Sequence, residues 1–307
     1  FAKWLVSPEN PLTARVAVNR LWQTVFGMGL VKTAEDFGAQ GSPPSHPDLL
    51  DWLASEYVRL KWDTKALLRL LVTSATYRQS SAVSPQLLTA DPENRLYARA
   101  PRYRLPAFML RDQALFVSGL LVEKLGGAPV KPYQPEGVWE DFSYGKITYA
   151  QDHGEALYRR SLYTFWRRSM APTTLFDTAS RRVCQVRTER TNTPLQSLTL
   201  LNDVTYTEAS RLLAERVFKE GGATPDSRLA LAFRLAVGRN LTAIESKILL
   251  KRLKATTEYY RAHLPEAEKL LSVGEKPRDK AFDAAEIAAL SAVMSVILNL
   301  DEVLNKE

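Results

Sequence analysis

Apolar residues recur along most of the chain at the three-to-four-residue spacing of an α-helix, and glycine or proline interrupts the runs. Near the start, Val16 and Leu21 follow this spacing. Asn10 and Pro11 precede them, and this pair is typical of a helix start because asparagine caps the first turn and proline fits it. The pattern predicts a first helix that ends at Gly27.

Further helix starts follow along the chain. Asp63 is placed to cap a helix that runs to about Tyr77. Leu105-Pro106 opens an apolar periodic run that we predict to be helical as far as Leu125.

The C-terminal part shows the same periodicity. Thr242 and Glu245 form the pattern of a capping box, and residues 282–300 are apolar enough to be a core helix. Only Leu162–Trp166 has the composition of a strand. We therefore predict a mainly α fold, a multi-helix globular domain with long irregular loops and at most a small β element.

Residues 126–156 are rich in proline, glycine and aromatic residues and have no helical period. We predict one large helical domain over residues 1–307, with an N-terminal lobe (1–125) and a C-terminal lobe (157–307) that this loop joins. Phe1 is not a start methionine and no signal-peptide pattern follows it. We expect the chain to be the C-terminal part of a longer multidomain protein.

The composition, with 45% hydrophobic and 24% charged residues, is that of a globular protein with a substantial core. No apolar run approaches the length of a membrane-spanning helix, so we predict no transmembrane segment. The single cysteine, Cys184, excludes an internal disulfide, and we interpret it as a small buried apolar residue.

The net charge of +7 is concentrated in residues 159–190, where eight arginines face only Asp177 and Glu189. This segment contains no lysine. Arginine without lysine favours fixed bidentate ion pairs over the tracking of a phosphate backbone. We therefore expect ion pairing here and no nucleic-acid partner.

No motif of a common enzyme or cofactor site is present. The chain lacks a glycine-rich phosphate loop, a His-Glu-x-x-His motif, a Gly-x-Ser-x-Gly elbow and a Cys-x-x-Cys-His haem attachment. Its three histidines lie far apart, without a second ligand at helical spacing. We predict no metal site and no cofactor in this chain.

Polar blocks along the chain resemble a domain family abundant in planctomycetes, catalogued as Domain of Unknown Function 1553 or the planctomycete C-terminal domain. The most specific block is Thr-Asn-Thr-Pro-Leu-Gln at residues 191–196. The resemblance covers nearly the whole chain, and its other blocks are Asn10-Pro11, Arg15–Trp22, Phe26–Val31, Asp36–Gly41, His46–Leu53, Ser74–Ser81, Asn94–Tyr97, Arg111-Asp112, Phe176-Asp177 with Cys184, Leu201–Asp203, Gly238-Arg239 with Glu245, and Leu298–Glu302.

The resemblance implies architecture more than chemistry. Members commonly follow a companion domain, and often a cytochrome-c-like domain, in large proteins with secretion signals. The resemblance therefore implies that the partners are companion domains of the same polypeptide and that haem would be bound only in such a domain. It also implies an extracytoplasmic location, in the periplasm or cell envelope. Genomic company links the family to polysaccharide and sulfated-glycan use, and its activity is not established.

Our first hypothesis is a non-catalytic binding or scaffold module of a secreted multidomain protein that engages glycan or a partner domain. Aromatic faces in the loop would stack on sugar rings, and the alternative is that these side chains cover the core. The candidate aromatic contacts are Tyr133, Trp139, Phe142 and Tyr144.

The second hypothesis is an enzyme domain that acts on carbohydrate and is redox-coupled to the cytochrome-c-like domain. Asp36 or Asp112 would act as base, and His46 would transfer a proton. Arginine and amide groups would orient an anionic or hydroxyl-rich substrate. The candidate polar site comprises Asn19, Arg20, Asp36, His46, Tyr77, Arg78, Asp112, Arg187, Arg190, Asn192 and Gln196.

These polar residues also have structural explanations. Arg20 and Arg78 would pair with Asp36 or Asp51, and Asn192 would cap the helix that follows it. Candidates that line one open pocket would favour binding or catalysis. Candidates that are buried and bonded to their neighbours would be determinants of the fold.

Overall fold

The computed structural model describes residues 1–167, 176–177, 185–187 and 190–306, apart from the side chain of Phe142. Most of the regular structure in these ranges is α-helical, and their one sheet pairs two strands of two residues each. The predicted mainly α fold with at most a small β element is confirmed. Cys184 lies outside the described residues, so its interpretation stays a prediction.

Contacts divide the chain into two compact units. Within the described ranges, unit 1 contains residues 1–103, 185–187 and 305–306, and unit 2 contains residues 104–167, 176–177 and 190–304. Each unit has a hydrophobic core of its own. The domain and lobe boundaries drawn from the sequence stay predictions.

Unit 1 is built from short and medium helices around an aromatic core. Trp22 stacks on Phe26 with ring centroids 4.1 Å apart, and Tyr97 packs edge-on against both rings. The helices are α1 (Ala2–Leu5), α2 (Thr13–Phe26), α3 (Pro47–Arg59), α4 (Thr64–Thr73) and α5 (Pro85–Ala90).

One of the two caps expected from the sequence in unit 1 is confirmed, that of Asp63, whereas α2 has Leu12 instead of Asn10 at its N-cap position. The Asn10 side-chain oxygen accepts hydrogen bonds from two backbone N–H groups at the start of α2, each at 3.0 Å. Asp63 accepts two N–H groups in the first turn of α4. Gly27, with φ of 81°, ends α2 in the left-handed conformation that favours glycine.

Unit 2 is centred on its most apolar helix. Leu290, Val293 and Met294 of this helix, α13, are buried against α9 and α11. Strand β1 (Tyr103–Arg104) leads into unit 2 and pairs with β2 (Asn305–Lys306). The helices of unit 2 are α6 (Ala107–Ser118), α7 (Val138–Ser143), α8 (Pro194–Asn202), α9 (Val204–Glu220), α10 (Pro225–Val237), α11 (Ala243–Ala262), α12 (Leu264–Leu271), α13 (Ala284–Leu298) and α14 (Asp301–Leu304), with short 3-10 segments at Gly154–Tyr158 and Ser161–Tyr163.

Two expectations for unit 2 were wrong. The helix predicted to reach Leu125 ends at Ser118, because Gly119 takes a left-handed φ of 78°. Leu162–Trp166 is not a strand in a sheet among the described residues, since part of it forms a 3-10 turn and Thr164 forms an isolated bridge to Val130.

Arg239 follows the end of α10 and connects it through ion pairs to two other helices. Its guanidinium lies 2.6 Å from Glu245 on α11 and 2.8 Å from Glu302 on α14. Glu245 also completes the capping box that Thr242 begins, which confirms that prediction. Arg239, and next the backbone N–H of Thr242, lower the pKa of Glu245 to about 2.

We expect Glu245→Gln to weaken the acid dependence of stability. A lowered folded-state pKa stabilises the protein fully above the unfolded value of 4.5, and this contribution is lost as the pH falls toward 2. The free energy of unfolding, measured with urea at about pH 6 and at about pH 3, should therefore change less between the two pH values for this variant than for the original chain. Glu258→Gln, on the same helix, is the control. An undiminished pH difference in Glu245→Gln would contradict the assignment.

Candidate functional site

The polar candidates are divided between the two units. Unit 1 contains Asn19, Arg20, Asp36, His46, Tyr77, Arg78 and Arg187, and unit 2 contains Asp112, Arg190, Asn192 and Gln196.

Asn19 is fully buried on α2 and holds the loop that follows this helix. Its side-chain oxygen accepts the N–H of Val31 at 2.9 Å, and its amide donates to the Val31 carbonyl at 3.0 Å. A Cβ on Gly29 would lie 2.6 Å from this amide, so the close approach requires glycine. Asn19 is therefore a determinant of the fold in unit 1.

Asp36 and His46 have local partners of their own. Asp36 accepts the N–H of Gly38 at 2.7 Å, which forms a turn closed by its side chain. His46 lies with Nδ1 3.0 Å from the Ser45 hydroxyl and with its ring 5.6 Å from that of Tyr97. These contacts shape the loop before α3 and do not join the two side chains.

The remaining unit 1 candidates lie at the surface or at its edge. Arg20, Arg78 and Arg187 are exposed. Tyr77 is half-buried, its ring packs edge-on against Phe26, and burial raises its pKa.

The predicted pairing of Asp51 with Arg20 or Arg78 is wrong. Asp51 pairs instead with Arg15, whose Nε lies 2.5 Å from the carboxylate. This hydrogen bond lowers the pKa of Asp51.

In unit 2, the block at residues 191–196 forms a closed network with Asp177. The Asp177 carboxylate accepts both the backbone N–H and the hydroxyl of Thr191, each at 2.7 Å. Gln196, which is buried on α8, donates to the Thr191 hydroxyl at 2.7 Å and completes a capping box with Thr193. The network fixes the start of α8, and Gln196 has a structural role in it.

Arg111 and Asp112 hold the 3-10 segments that begin at residue 154. Asp112 accepts the N–H and the hydroxyl of Ser161, each at 2.7 Å. Arg111 is 1% exposed and donates to the carbonyls of Leu157 and Arg159 at 2.7 and 2.9 Å. Burial lowers the pKa of Arg111, and the carboxylate of Asp112 acts against that shift.

Arg104 differs from these residues, because most of its hydrogen-bonding capacity is unused. The side chain is 8% exposed, and its Nη1 donates to the side-chain oxygen of Asn192 at 3.0 Å. Its Nε and Nη2 are buried and meet no acceptor in the described part of the chain. These two nitrogens share one edge of the planar guanidinium, the edge that binds a carboxylate or sulfate with two parallel hydrogen bonds. Burial lowers the pKa of Arg104.

Tyr206 and Asp203 lie in the same buried region. Burial raises the pKa of the Tyr206 hydroxyl, and the charges of Arg111 and, more weakly, Arg104 act against that shift. The hydroxyl has no hydrogen-bond partner among the described residues. Burial also raises the pKa of Asp203, whose carboxylate caps α9. We define the Arg104 site as Arg104, Arg111, Asn192, Asp203 and Tyr206.

Two of the loop aromatics belong to the interior. Tyr133 and Trp139 are 9% and 3% exposed, and Trp139 stacks on Tyr149 with ring centroids 5.3 Å apart. Tyr144 is 92% exposed, whereas the side chain of Phe142 lies outside the described residues. Tyr133 and Trp139 therefore offer no open face to a sugar ring.

Arg104, Arg111, Asp203 and Tyr206 are not among the candidate site residues selected from the sequence. Asp203 and Tyr206 are three residues apart at a helix start, and this spacing is a signal for side chains on one face. The burial of Arg104 depends on segments that are distant in sequence, and no local pattern marks it.

The described ranges hold neither a cluster of metal ligands nor a membrane-spanning helix. No group of three or more His, Cys, Asp or Glu side chains there is arranged to hold a metal ion. None of the helices described is long and apolar enough to cross a membrane.

Fold and site together define a mainly helical protein with a polar site built around a buried arginine. The family model described as PSD1, a protein of unknown function (DUF1553), matches residues 1–253, and the chain belongs to this family. The family resemblance drawn from the polar blocks is thereby confirmed. Searches of the curated proteins and of the solved structures found no match.

We expect Asn19→Ala to lower the free energy of unfolding by about 3 kcal/mol, because it leaves the buried N–H and carbonyl of Val31 without partners. The neighbouring exposed substitution Arg20→Ala should change it by less than about 0.5 kcal/mol. Urea unfolding of both variants measures the difference. Equal effects would contradict the structural role of Asn19.

We expect Arg104→Met to raise the free energy of unfolding of the ligand-free protein by about 1 kcal/mol, because an apolar side chain replaces an incompletely bonded buried charge. Arg111→Met is the matched substitution at a well-bonded guanidinium, and it should lower the same quantity by about 3 kcal/mol. Urea unfolding in a buffer free of sulfate and phosphate tests both. A comparable loss in the two variants would show that Arg104 is only structural.

Proposed function

We propose that the protein is a non-catalytic binding module and that the Arg104 site holds an anionic group of its ligand. The observation that carries this proposal is the buried guanidinium of Arg104, with one edge of two nitrogens that meets no acceptor among the described residues. A guanidinium carries donors only, so the missing partner must be an acceptor. The charges of Asp177 and Asp301 oppose the lowering of the Arg104 pKa, and the Phe176 ring lies 5.7 Å from its guanidinium carbon, but this edge still lacks an acceptor in the described chain. Buried donors without an acceptor are destabilising, and a ligand that supplies an acceptor offsets this.

A carboxylate or a sulfate group fits this edge best. Either group accepts two parallel hydrogen bonds from Nε and Nη2, and a negative charge strengthens both. The Tyr206 hydroxyl supplies a further buried donor without a partner in the described chain.

We propose an acidic carbohydrate as the ligand class. Asn192, which holds the guanidinium, is itself exposed, as is Thr193, so the site begins at a surface that carries an amide and a hydroxyl. Such groups hydrogen-bond sugar hydroxyls, while Arg104 takes the uronate or sulfate group. The family's link to glycan use supports the same class. An extracytoplasmic location and companion domains in the same polypeptide remain proposals from that resemblance.

The second candidate function is an enzyme that acts on the same carbohydrate. Asp203 favours it, because burial raises the pKa of its carboxyl, which is the direction that a general acid requires. Shortened or altered sugar recovered after incubation, and its absence with Asp203→Asn, would support catalysis. Asparagine preserves the cap of α9 in this variant.

Isothermal titration calorimetry tests the binding proposal with three probes: trigalacturonate, neocarrabiose sulfate and the neutral maltotriose. We expect heat from at least one acidic probe and none from maltotriose. Arg104→Gln should weaken the binding by at least about tenfold, because it removes charged hydrogen bonds that a neutral amide does not replace.

The control variant is Arg252→Gln, which removes an exposed arginine of α11 and should bind as the original chain does. Thermal unfolding of both variants verifies that they are folded. Absence of binding by either acidic probe, or equal binding by Arg104→Gln, would refute the proposed function.

A further inference from the structure

A separate cleft of about 710 Å³ lies in unit 2 between α11, the start of α10 and the end of α9. Its volume falls in the range of small-molecule sites, which is roughly 300–1,000 Å³. It shares no residue with the Arg104 site. Its function would therefore be additional to the proposed one.

One wall of the cleft is a single face of α11. Leu250, Leu253, Lys254 and Thr257 line it at the spacing of successive helical turns. Leu290 of α13 contributes further apolar surface and is 3% exposed. The cleft thus offers an apolar lining with a cation at its edge.

The opposite wall holds Arg228 in a fixed position. Its guanidinium carbon lies 3.7 Å from the centre of the Phe218 ring, and its Nε donates to the Gly222 carbonyl at 3.0 Å. A Cβ on Gly221 would lie 2.8 Å from the Cα of Arg228, so this glycine permits the close packing. The guanidinium is therefore pre-organised on an aromatic face.

Neither Arg228 nor Lys254 has an ion-pair partner within the ranges described. Arg261, a third cation of the cleft, is paired with Glu286 at 3.0 Å. Glu258 also lines the cleft and reduces its positive charge. The lining therefore contains two cations and one carboxylate without ion-pair partners in these ranges. Together these three groups carry a positive net charge, which suits a ligand with a single negative charge.

We propose that this cleft binds a small amphiphilic anion, with an apolar body against Phe218, Leu250 and Leu253 and a carboxylate or sulfate head between Arg228 and Lys254. The stacked guanidinium gives the head a planar donor group, and the ammonium gives it a mobile charge. The apolar body gains the free energy of leaving water.

Calorimetric titration with sodium decanoate, below its micelle concentration, tests this proposal. Decyl maltoside carries the same apolar chain on a neutral head, and we expect it to bind at least about tenfold more weakly. Arg228→Gln and Lys254→Gln should each weaken decanoate binding several-fold, and the double variant should abolish it at millimolar concentrations.

Lys251→Gln, one residue from the cleft face on α11, is the matched control and should bind decanoate unchanged. The Arg104 site is intact in the double variant, so decanoate bound equally well by that variant sits elsewhere and overturns the proposal. Absence of decanoate binding, or equal binding of decanoate and decyl maltoside, overturns it too. Binding of acidic sugars at Arg104 is unaffected by these variants, so the two proposals fail separately.

Discussion

Hydrogen bonding between buried arginines and backbone carbonyls is the interaction on which the irregular part of unit 2 depends. Arg159 donates to the carbonyls of Lys124, Gly126 and Ala128 and lies with its guanidinium carbon 3.8 Å from the centre of the Tyr163 ring. Arg111 donates in the same way to the carbonyls of Leu157 and Arg159, in and next to the first 3-10 segment. Each guanidinium offers several donors in a fixed plane, so one side chain can order several residues that have no helix or sheet to satisfy them.

Arg104 is buried like Arg111 and Arg159, but it has only one acceptor in the described chain, the side chain of Asn192. An incompletely bonded buried charge adds little to stability, and this sets Arg104 apart from the arginines that order the backbone. The buried polar residues that were selected from the sequence differ from Arg104, because their hydrogen-bonding groups have partners. Asn19 and Gln196 are buried and bonded to backbone or to neighbours in their own unit, and they determine local structure.

Local signals in the sequence predicted local structure well. The caps at Asp63 and Thr242 form as predicted, because a cap requires only a side chain and the next turn. The capping box at Thr193 and Gln196 is equally local, and the sequence analysis recognised the helix start but assigned its cap to Asn192. Asn192 instead accepts from Arg104, a residue far away in the chain.

The features that could not be predicted depend on contacts between residues that are distant in sequence. The burial of Trp139 is set by Tyr149 and Phe165, and a loop rich in aromatic residues gives no sign of which rings turn inward. The same holds for the Arg104 site, whose members come from the start of unit 2, from α6, from the segment before α8 and from the start of α9. Their residue types are individually common, and only the fold makes their burial unusual.

The most direct test of the account is the nuclear magnetic resonance signal of the Arg104 Nε–H group, assigned by its loss in a variant without this arginine. Without ligand the account predicts a signal that exchanges with water and lacks the shift of a charged hydrogen bond. Titration with an acidic oligosaccharide should move it downfield and slow its exchange, while the Nε–H signal of the exposed Arg252 on α11 stays in place. An Arg104 signal that is already protected, and that no acidic sugar moves, would contradict the central claim.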